Sequence, residues 1–294
     1  MKRTLILSTL IVGLAGFAQA QVRTALEASK LRGAVKSVRV ERARLAEVNG
    51  ESRESARVLL SIDTFDRNGN RTRQAVNDPE RSLKWDNRWS HTYDSAKRTI
   101  RTDYFNANRD RTSTGITTYH DNGQRVVVTQ YNPNDSVNHV RELFYDDKRN
   151  KVREILRFPN QPTHEILFTY DEHRRVTEEV YKTDGRFDYR NVHTYDDHHN
   201  RIRFEVYKAD GTSMQILNRR HVYDADENIV ETSNFKRDDS LLNKETFTYE
   251  FDNYGNWIKR KTTRQMFTDG GSTSETEITY REITYYDNRR IAKR

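Results

Sequence analysis

An aromatic residue followed by aspartate recurs along the chain at nearly regular intervals. The pair occurs at Phe65-Asp66, Tyr93-Asp94, Tyr145-Asp146, Tyr170-Asp171, Tyr195-Asp196, Tyr223-Asp224, Phe251-Asp252 and Tyr286-Asp287, and Tyr119-His120-Asp121 is a copy with one residue inserted. Between Tyr93 and Phe251 the aromatic residues lie 25 to 28 positions apart. The chain is therefore a tandem array of about nine similar units, and each unit must contain the same few secondary structure elements.

Each unit has the sequence pattern of a β-hairpin. Asparagine follows the aromatic residue by five positions in several copies, at Asn70, Asn150, Asn200, Asn228 and Asn256. Aspartate and asparagine both favour turns. We therefore expect the repeated aspartate to accept hydrogen bonds in a turn rather than to act as a catalytic acid. Apolar and charged residues then alternate, with Ile202, Phe204 and Val206 on one face. A second turn, at Asp184-Gly185 or Asp210-Gly211, completes a unit of two strands.

The fold class predicted from these units is all-β. About nine hairpins give about eighteen strands, and turns this short allow only antiparallel pairing, because parallel strands need long crossovers. Open twisted sheets rarely exceed about ten strands without curling. We therefore expect tandem antiparallel hairpins over residues 33–294 to form a long curled or barrel-like meander sheet. Its inner or concave face should carry the aromatic and aliphatic side chains.

The first twenty residues have the layout of a secretory signal peptide. Lys2 and Arg3 are basic, residues 5–17 are almost wholly apolar, and Ala18-Gln19-Ala20 is a small-x-small cleavage site. An uncleaved anchor helix is the alternative, although the apolar run is short for one. No other stretch approaches the roughly 18 apolar residues of a spanning helix. We expect an exported protein, periplasmic or at the cell surface or secreted, with no transmembrane segment after cleavage.

Residues 21–32 are predicted to form a short N-terminal helix or cap. Ala25, Leu26, Ala28 and Leu31 are apolar within the segment from Thr24 to Leu31, which suits a short helix over the first sheet edge. A frayed tail is the alternative for this segment.

The composition of the chain excludes several kinds of cross-link, metal site and catalytic group. The chain has no cysteine, which excludes disulfides, cysteine-ligated metals and thiol nucleophiles. Its 51 Lys and Arg and 44 Asp and Glu are interleaved, a mixture that favours a folded chain because like-charge repulsion is small. Because no long basic block is present, we expect no nucleic acid partner.

The segment from Tyr249 to Trp257 reads Tyr-Glu-Phe-Asp-Asn-Tyr-Gly-Asn-Trp. It resembles the tyrosine-aspartate (YD, Rhs-type) repeat of bacterial exported and surface proteins, in which Tyr-Asp-x-x-Gly-Asn turns link the strands of a winding β-sheet. Residues 65–70, Phe-Asp-Arg-Asn-Gly-Asn, match the same pattern. The resemblance implies an exported body of β-repeats. Most other copies lack the glycine, and the period is longer than is usual in that family.

Residues with catalytic or metal-binding chemistry are sparse. Asp196-Asp197-His198-His199 is the densest candidate metal cluster, but Asp146-Asp147-Lys148-Arg149 occupies the matching place in another unit, which favours a solvated turn. The sequence has no Gly-x-Ser-x-Gly elbow, no His-Glu-x-x-His motif and no phosphate-binding glycine-rich loop. We therefore expect no enzyme, no catalytic residues, no metal site and no cofactor.

Trp85, Trp89 and Tyr93 are the candidate binding residues. Their spacing of four places all three rings on one face of a strand, where they could stack on sugar rings. The alternative is ordinary sheet packing, since Tyr93 is itself an aromatic residue of the repeat.

Two functions follow from these observations. The first is an exported non-enzymatic β-repeat protein that serves as a binding or scaffolding surface for an envelope protein or polysaccharide. The alternative is a carbohydrate-binding or glycan-processing protein that uses the aromatic patch near Trp85 and Trp89.

Overall fold

The computed structural model describes residues 25–78, 83–94, 99–268 and 270–286. Nearly all of them belong to one antiparallel sheet. Its strands are β1 (Val35–Val48), β2 (Glu51–Glu54), β3 (Val58–Phe65), β4 (Arg71–Asp78), β5 (Leu83–Asp94), β6 (Thr99–Phe105), β7 (Arg111–His120), β8 (Arg125–Tyr131), β9 (Val137–Tyr145), β10 (Lys151–Arg157), β11 (His164–Tyr170), β12 (Val176–Thr183), β13 (Arg186–Tyr195), β14 (Arg201–Lys208), β15 (Ser213–Tyr223), β16 (Ile229–Phe235), β17 (Leu241–Phe251), β18 (Trp257–Thr268) and β19 (Gly271–Tyr285). A 3-10 turn, Asp121–Gly123, joins β7 and β8.

The sheet closes into a barrel. From β3 to β19 each strand pairs with the next, and β1 pairs with β19 on one side and with β2 and β3 on the other. Because β2 and β3 are successive parts of one strand, 18 strands surround the interior. The predicted antiparallel all-β meander is confirmed. Closure is the more specific result, and it removes both unpaired edges of the sheet.

The aspartate of each repeat organises the turn that follows it. Asp252 Oδ1 accepts hydrogen bonds from the backbone N–H groups of Tyr254 and Asn256, both at 2.9 Å. The backbone N–H of Gly255 donates to the Asp252 carbonyl at 3.0 Å. Asp66 and Asp224 accept from their turns in the same way. The repeated aspartate is thus a turn acceptor, as its recurrence predicts.

The fourth residue of this turn has a left-handed backbone. Gly255 has φ of 76°, and the equivalent Glu227 has φ of 64°. A side chain at such a φ costs roughly 1 kcal/mol, which glycine avoids. We therefore expect Glu227→Gly to raise the free energy of unfolding by about 0.5–1 kcal/mol in urea titrations. Glu227→Ala serves as the control, because alanine retains the Cβ and should give no gain; an equal gain from alanine would refute the explanation.

Tyrosines connect several turns to the preceding turn along the same rim. The hydroxyl groups of Tyr170, Tyr195 and Tyr249 donate to the carbonyls of Lys151, Val176 and Ile229, at 2.7, 2.7 and 2.9 Å. Each acceptor comes directly after the turn of the preceding unit. Tyr170 and Tyr195 are the aromatic residues of their repeats, whereas Tyr249 lies two positions before Phe251. In the first two units the repeat aromatic itself therefore links consecutive hairpins.

Side chains alternate between two faces of the wall. Following the register around the barrel places these side chains on one face: Val38, Asp63, Trp85, Trp89, Tyr104, Val126, Leu143, Glu154, Tyr181, Asn191, His193, Arg260 and Arg281. The N-terminal segment, residues 25–33, packs against this face. Burial raises the pKa of both Tyr104 and Tyr145, which lies on the same face, to about 12. We call it the inner face.

The outer face carries ion pairs between neighbouring positions. Examples are Arg101 with Asp103 at 2.8 Å, Arg153 with Glu165 at 2.5 Å and Arg203 with Glu205 at 2.8 Å. Exposed pairs of this kind contribute little stability and are typical of a surface in contact with water.

The prediction of an N-terminal helix from Thr24 to Leu31 is wrong, because only a single helical turn, Ala25–Ala28, is present in the described part of this segment. The chain leaves helical geometry at Lys30, where φ is 54°. Tertiary contacts decide the conformation instead: Ala25 is 1% exposed among Val38 and Phe65, and the backbone N–H of Leu26 donates to the carbonyl of Gly69 at 3.1 Å. The segment lies across the barrel rim.

The predicted signal peptide, residues 1–20, lies outside the described residues. Within the described ranges, no helix has the length and apolar character needed to cross a membrane.

Candidate ligand-binding sites in the barrel interior

Trp85 and Trp89 lie on the inner face of β5, as their spacing predicts. Trp85 is opposite Val76 and is 36% exposed. Trp89 is opposite Tyr104, and the two rings meet edge to face with centroids 6.4 Å apart. Alternation along β5 assigns Tyr93 to the same face, but its side chain is not among those described. The two tryptophans are about 13 Å apart along the strand, since each residue advances about 3.3 Å. Whether sugars stack on them stays a prediction.

A polar and aromatic group that the sequence reasoning missed lies on β12 and β13. Glu179 is opposite Asn191, and Tyr181 is opposite Tyr189, with His193 two positions further along the same face. The Asn191 side-chain amide and the Tyr181 hydroxyl donate to Glu179 Oε2 at 2.9 and 3.0 Å. The rings of Tyr181 and Tyr189 stack with centroids 4.3 Å apart. We call these five residues the lumenal cluster.

The charge state of Glu179 follows from these contacts. Burial opposes its ionisation, but the facing groups of His193, Asn191 and Tyr181 outweigh burial and lower the pKa of Glu179 to about 2. Burial, reinforced by the Glu179 charge, raises the pKa of Tyr181. At neutral pH the cluster therefore presents a carboxylate beside neutral phenols.

Two buried polar atoms of the lumenal cluster lie outside hydrogen-bond geometry with the described part of the chain. Arg201 donates to His193 Nδ1 at 3.2 Å, so the proton of a neutral His193 is on Nε2. That Nε2 lies 3.6 Å from Glu179 Oε2. Neither His193 Nε2 nor Asn191 Oδ1 has a hydrogen-bond partner within the described part of the chain, although both residues are only 8% exposed. Unsatisfied buried polar atoms of this kind are uncommon and need an explanation.

A cavity of about 460 Å³ lies at the rim that carries the aspartate turns. It is bounded by residues 29–32 of the N-terminal segment and by the turns around residues 198–200, 227–229 and 255–257. Asn256 holds its wall together: its Oδ1 accepts from the backbone N–H of Arg32, and its Nδ2 donates to the Arg32 carbonyl, both at 2.8 Å. We call this space the mouth cavity.

The side chains of the candidate metal cluster at residues 196–199 contact residues of their own turn and of neighbouring strands and turns. Asp196 accepts from the backbone N–H of Asn200 at 2.9 Å and from the hydroxyl of Tyr223 at 2.6 Å. The ring of His198 stacks on Tyr223 with centroids 3.9 Å apart, and His199 contacts Arg175. In the described ranges no three His, Cys, Asp or Glu side chains form a group that could hold a metal ion.

No known family model matches the chain, and no curated protein matches it. Three solved structures have some likeness to it. A porin-like protein from Bacteroides uniformis is 11% identical over 86% of this chain and 98% of its own, with a TM-score of 0.43. A DUF1329 family protein from Desulfovibrio piger is 10% identical over 88% and 89%, with a TM-score of 0.22. A domain from Vibrio parahaemolyticus named for outer membrane lipoprotein sorting is 13% identical over 90% and 91%, with a TM-score of 0.24. Scores this low carry no argument about function.

Proposed function

We propose that the chain is an exported, non-enzymatic binding protein that holds a hydrophilic ligand, an envelope glycan, against the inner face of its barrel. One observation carries this proposal: the inner face combines partly exposed aromatic rings with buried polar atoms that have no hydrogen-bond partner among the described residues. Sugars are recognised by this combination, because their apolar ring faces stack on aromatic rings while their hydroxyl groups exchange hydrogen bonds.

The geometry gives room for such a ligand. Barrels of 16–18 strands are too wide for the side chains of their walls to fill. Trp85 and Trp89 on β5 and the stacked pair Tyr181 and Tyr189 on β12 and β13 provide two separate aromatic patches. An extended polysaccharide is a ligand that could contact more than one patch.

The chemistry of the interior supports binding rather than catalysis. A general acid or base works best with a pKa near the operating pH. Glu179, whose pKa is lowered to about 2, is far from that range. Export is supported by the leader-like residues 1–20 and by the resemblance to tyrosine-aspartate repeats, and the charged outer face is compatible with water on that side.

Calorimetric titration with a panel of neutral and acidic polysaccharides tests the proposal. We expect at least one to bind, and we expect Trp85→Ala combined with Trp89→Ala to weaken its affinity by roughly tenfold, because two stacking contacts of about 0.5–1.5 kcal/mol each are lost. Phe187→Ala is the matched control, since Phe187 is an aromatic residue of the outer face with 38% exposure. The proposal fails if no polysaccharide binds, if the double variant binds as tightly as the parent, or if the purified protein cleaves the bound polysaccharide.

A further inference from the structure

Cations predominate around the mouth cavity. Lys30, Arg32 and Arg281 contribute to its lining, whereas Glu227 is the carboxylate that the described lining residues supply. No ion pair joins any of these three cations to an acidic residue whose side chain the structure describes. The described lining residues therefore give the cavity an excess of positive charge.

Two arginines approach each other on the inner face beside this cavity. Arg260 is opposite Thr279, so Arg281 lies two positions further along the neighbouring strand on the same face. Burial lowers the pKa of Arg281 to about 10, and nearby Arg260 acts in the same direction against the attraction of Asp63. Asp63 is itself paired with Arg71 at 2.9 Å. The proximity of two partly buried cations is unfavourable unless an anion compensates them.

The side chain of Trp257 holds both guanidinium groups. The guanidinium carbon of Arg281 lies 3.4 Å from the centroid of the Trp257 ring, and that of Arg260 lies 5.0 Å from it. The Nε atoms of both arginines are buried without a hydrogen-bond partner in the described part of the chain. A stacked guanidinium keeps a fixed plane and can offer its N–H groups to an oxyanion in a bidentate manner.

We propose that the mouth cavity is a binding site for an oxyanion, a carboxylate or a phosphate monoester carried by a small ligand or by the end of a chain, with Arg281 as the principal contact and Arg260, Arg32 and Lys30 in support. A cavity of about 460 Å³ is within the range of sites for small molecules and could hold one charged sugar. The site does not depend on the glycan proposal, because it shares no residue with Trp85, Trp89 or the lumenal cluster.

Titration with glucuronate and with glucose 6-phosphate, followed by calorimetry at low salt, tests this site. Neutral glucose is the matched probe without the anion. We expect at least one anion to bind while glucose does not, and the anion that binds more tightly identifies carboxylate or phosphate as the recognised group. Raising the salt concentration should weaken binding, since the attraction is electrostatic.

Variants separate a binding role from a structural role. Arg281→Gln should weaken anion binding by about tenfold, as expected for the loss of one charge-assisted contact, without lowering the midpoint of thermal unfolding. Arg32→Gln, a change in the N-terminal segment that also lines the cavity, should weaken binding as well. Arg153→Gln on the outer face is the control and should bind as the parent does. Equal binding of glucose, absence of binding by both anions, or full affinity in both Arg281→Gln and Arg32→Gln would overturn the proposal.

Discussion

Replacing Glu154 by alanine should lower the free energy of unfolding by about 3 kcal/mol. Glu154 is 8% exposed on the inner face between Leu143 and Ile166. Its two carboxylate oxygens accept from Arg141 at 2.5 Å and from Lys151 at 2.6 Å. Removing the carboxylate leaves two partly buried cations without their counter-ion, and this desolvation penalty is what makes the loss large.

Urea unfolding of Glu154→Ala beside Glu250→Ala tests this expectation. Glu250 pairs with Lys259 at 2.8 Å, but its side chain is 62% exposed, so its removal should cost less than about 1 kcal/mol. Equal losses in the two variants would contradict the account of an enclosed interior.

The effect of Glu154→Ala should also depend on pH. Burial opposes ionisation of Glu154, but Arg141 and Lys151 outweigh burial and lower its pKa below the ordinary value. A carboxylate with a lowered pKa in the folded state stabilises the protein fully above its unfolded pKa, near 4.3, and the contribution is lost as pH falls through the folded pKa. We therefore expect the difference between parent and variant to be constant near neutrality and to shrink below about pH 4.

Asn256→Ala should lower the free energy of unfolding by about 2 kcal/mol and release the N-terminal segment from the rim. Asn256 is 4% exposed, and its side chain bonds to both backbone groups of Arg32 and donates to the Tyr285 hydroxyl at 2.8 Å. Alanine removes all three of these bonds at once. The amide of Arg32 should then exchange its hydrogen faster.

Asn228 provides a matched comparison, because it occupies the same position in the preceding turn. Among the described residues its side chain donates only within its own turn, to Asp224 at 3.1 Å. We expect Asn228→Ala to cost about 1 kcal/mol or less and to leave exchange at Arg32 unchanged. The role assigned to Asn256 would be refuted if Asn228→Ala loosened the N-terminal segment equally.

Local chemistry made the repeat, its turns and the antiparallel sheet predictable. The backbone N–H of Asn256 donates to the side chain of Asp252, four positions earlier. The spacing of these two residues in the sequence is therefore enough to predict the turn. Closure had no comparable signal, because the pairing of Val40 with Arg281 joins opposite ends of the chain. The helix from Thr24 to Leu31 failed for the same reason: contacts with Phe65 and Gly69, distant in sequence, override a weak local preference.

The candidate sites also differ in whether local sequence or contacts between distant strands define them. A spacing of four was sufficient to place Trp85 and Trp89 on one face, because alternation along a strand is a local property. The lumenal cluster was not predictable, although alternation does place Asn191 and His193 on one face. What distinguishes them is that one polar atom of each is buried without a hydrogen-bond partner in the described part of the chain, and that burial depends on neighbouring strands.

Collisional quenching of tryptophan fluorescence by acrylamide, with and without a bound polysaccharide, addresses the barrel interior most directly. The chain has three tryptophans; Trp85 and Trp89 belong to the inner face, and Trp257 lines the mouth cavity. A glycan held against the inner face should shield Trp85 and Trp89, so the part of the quenching that these two residues contribute should fall as the binding site saturates. Saturation measured by calorimetry with an unchanged quenching constant would show that the ligand binds outside, and would contradict the proposed interior site.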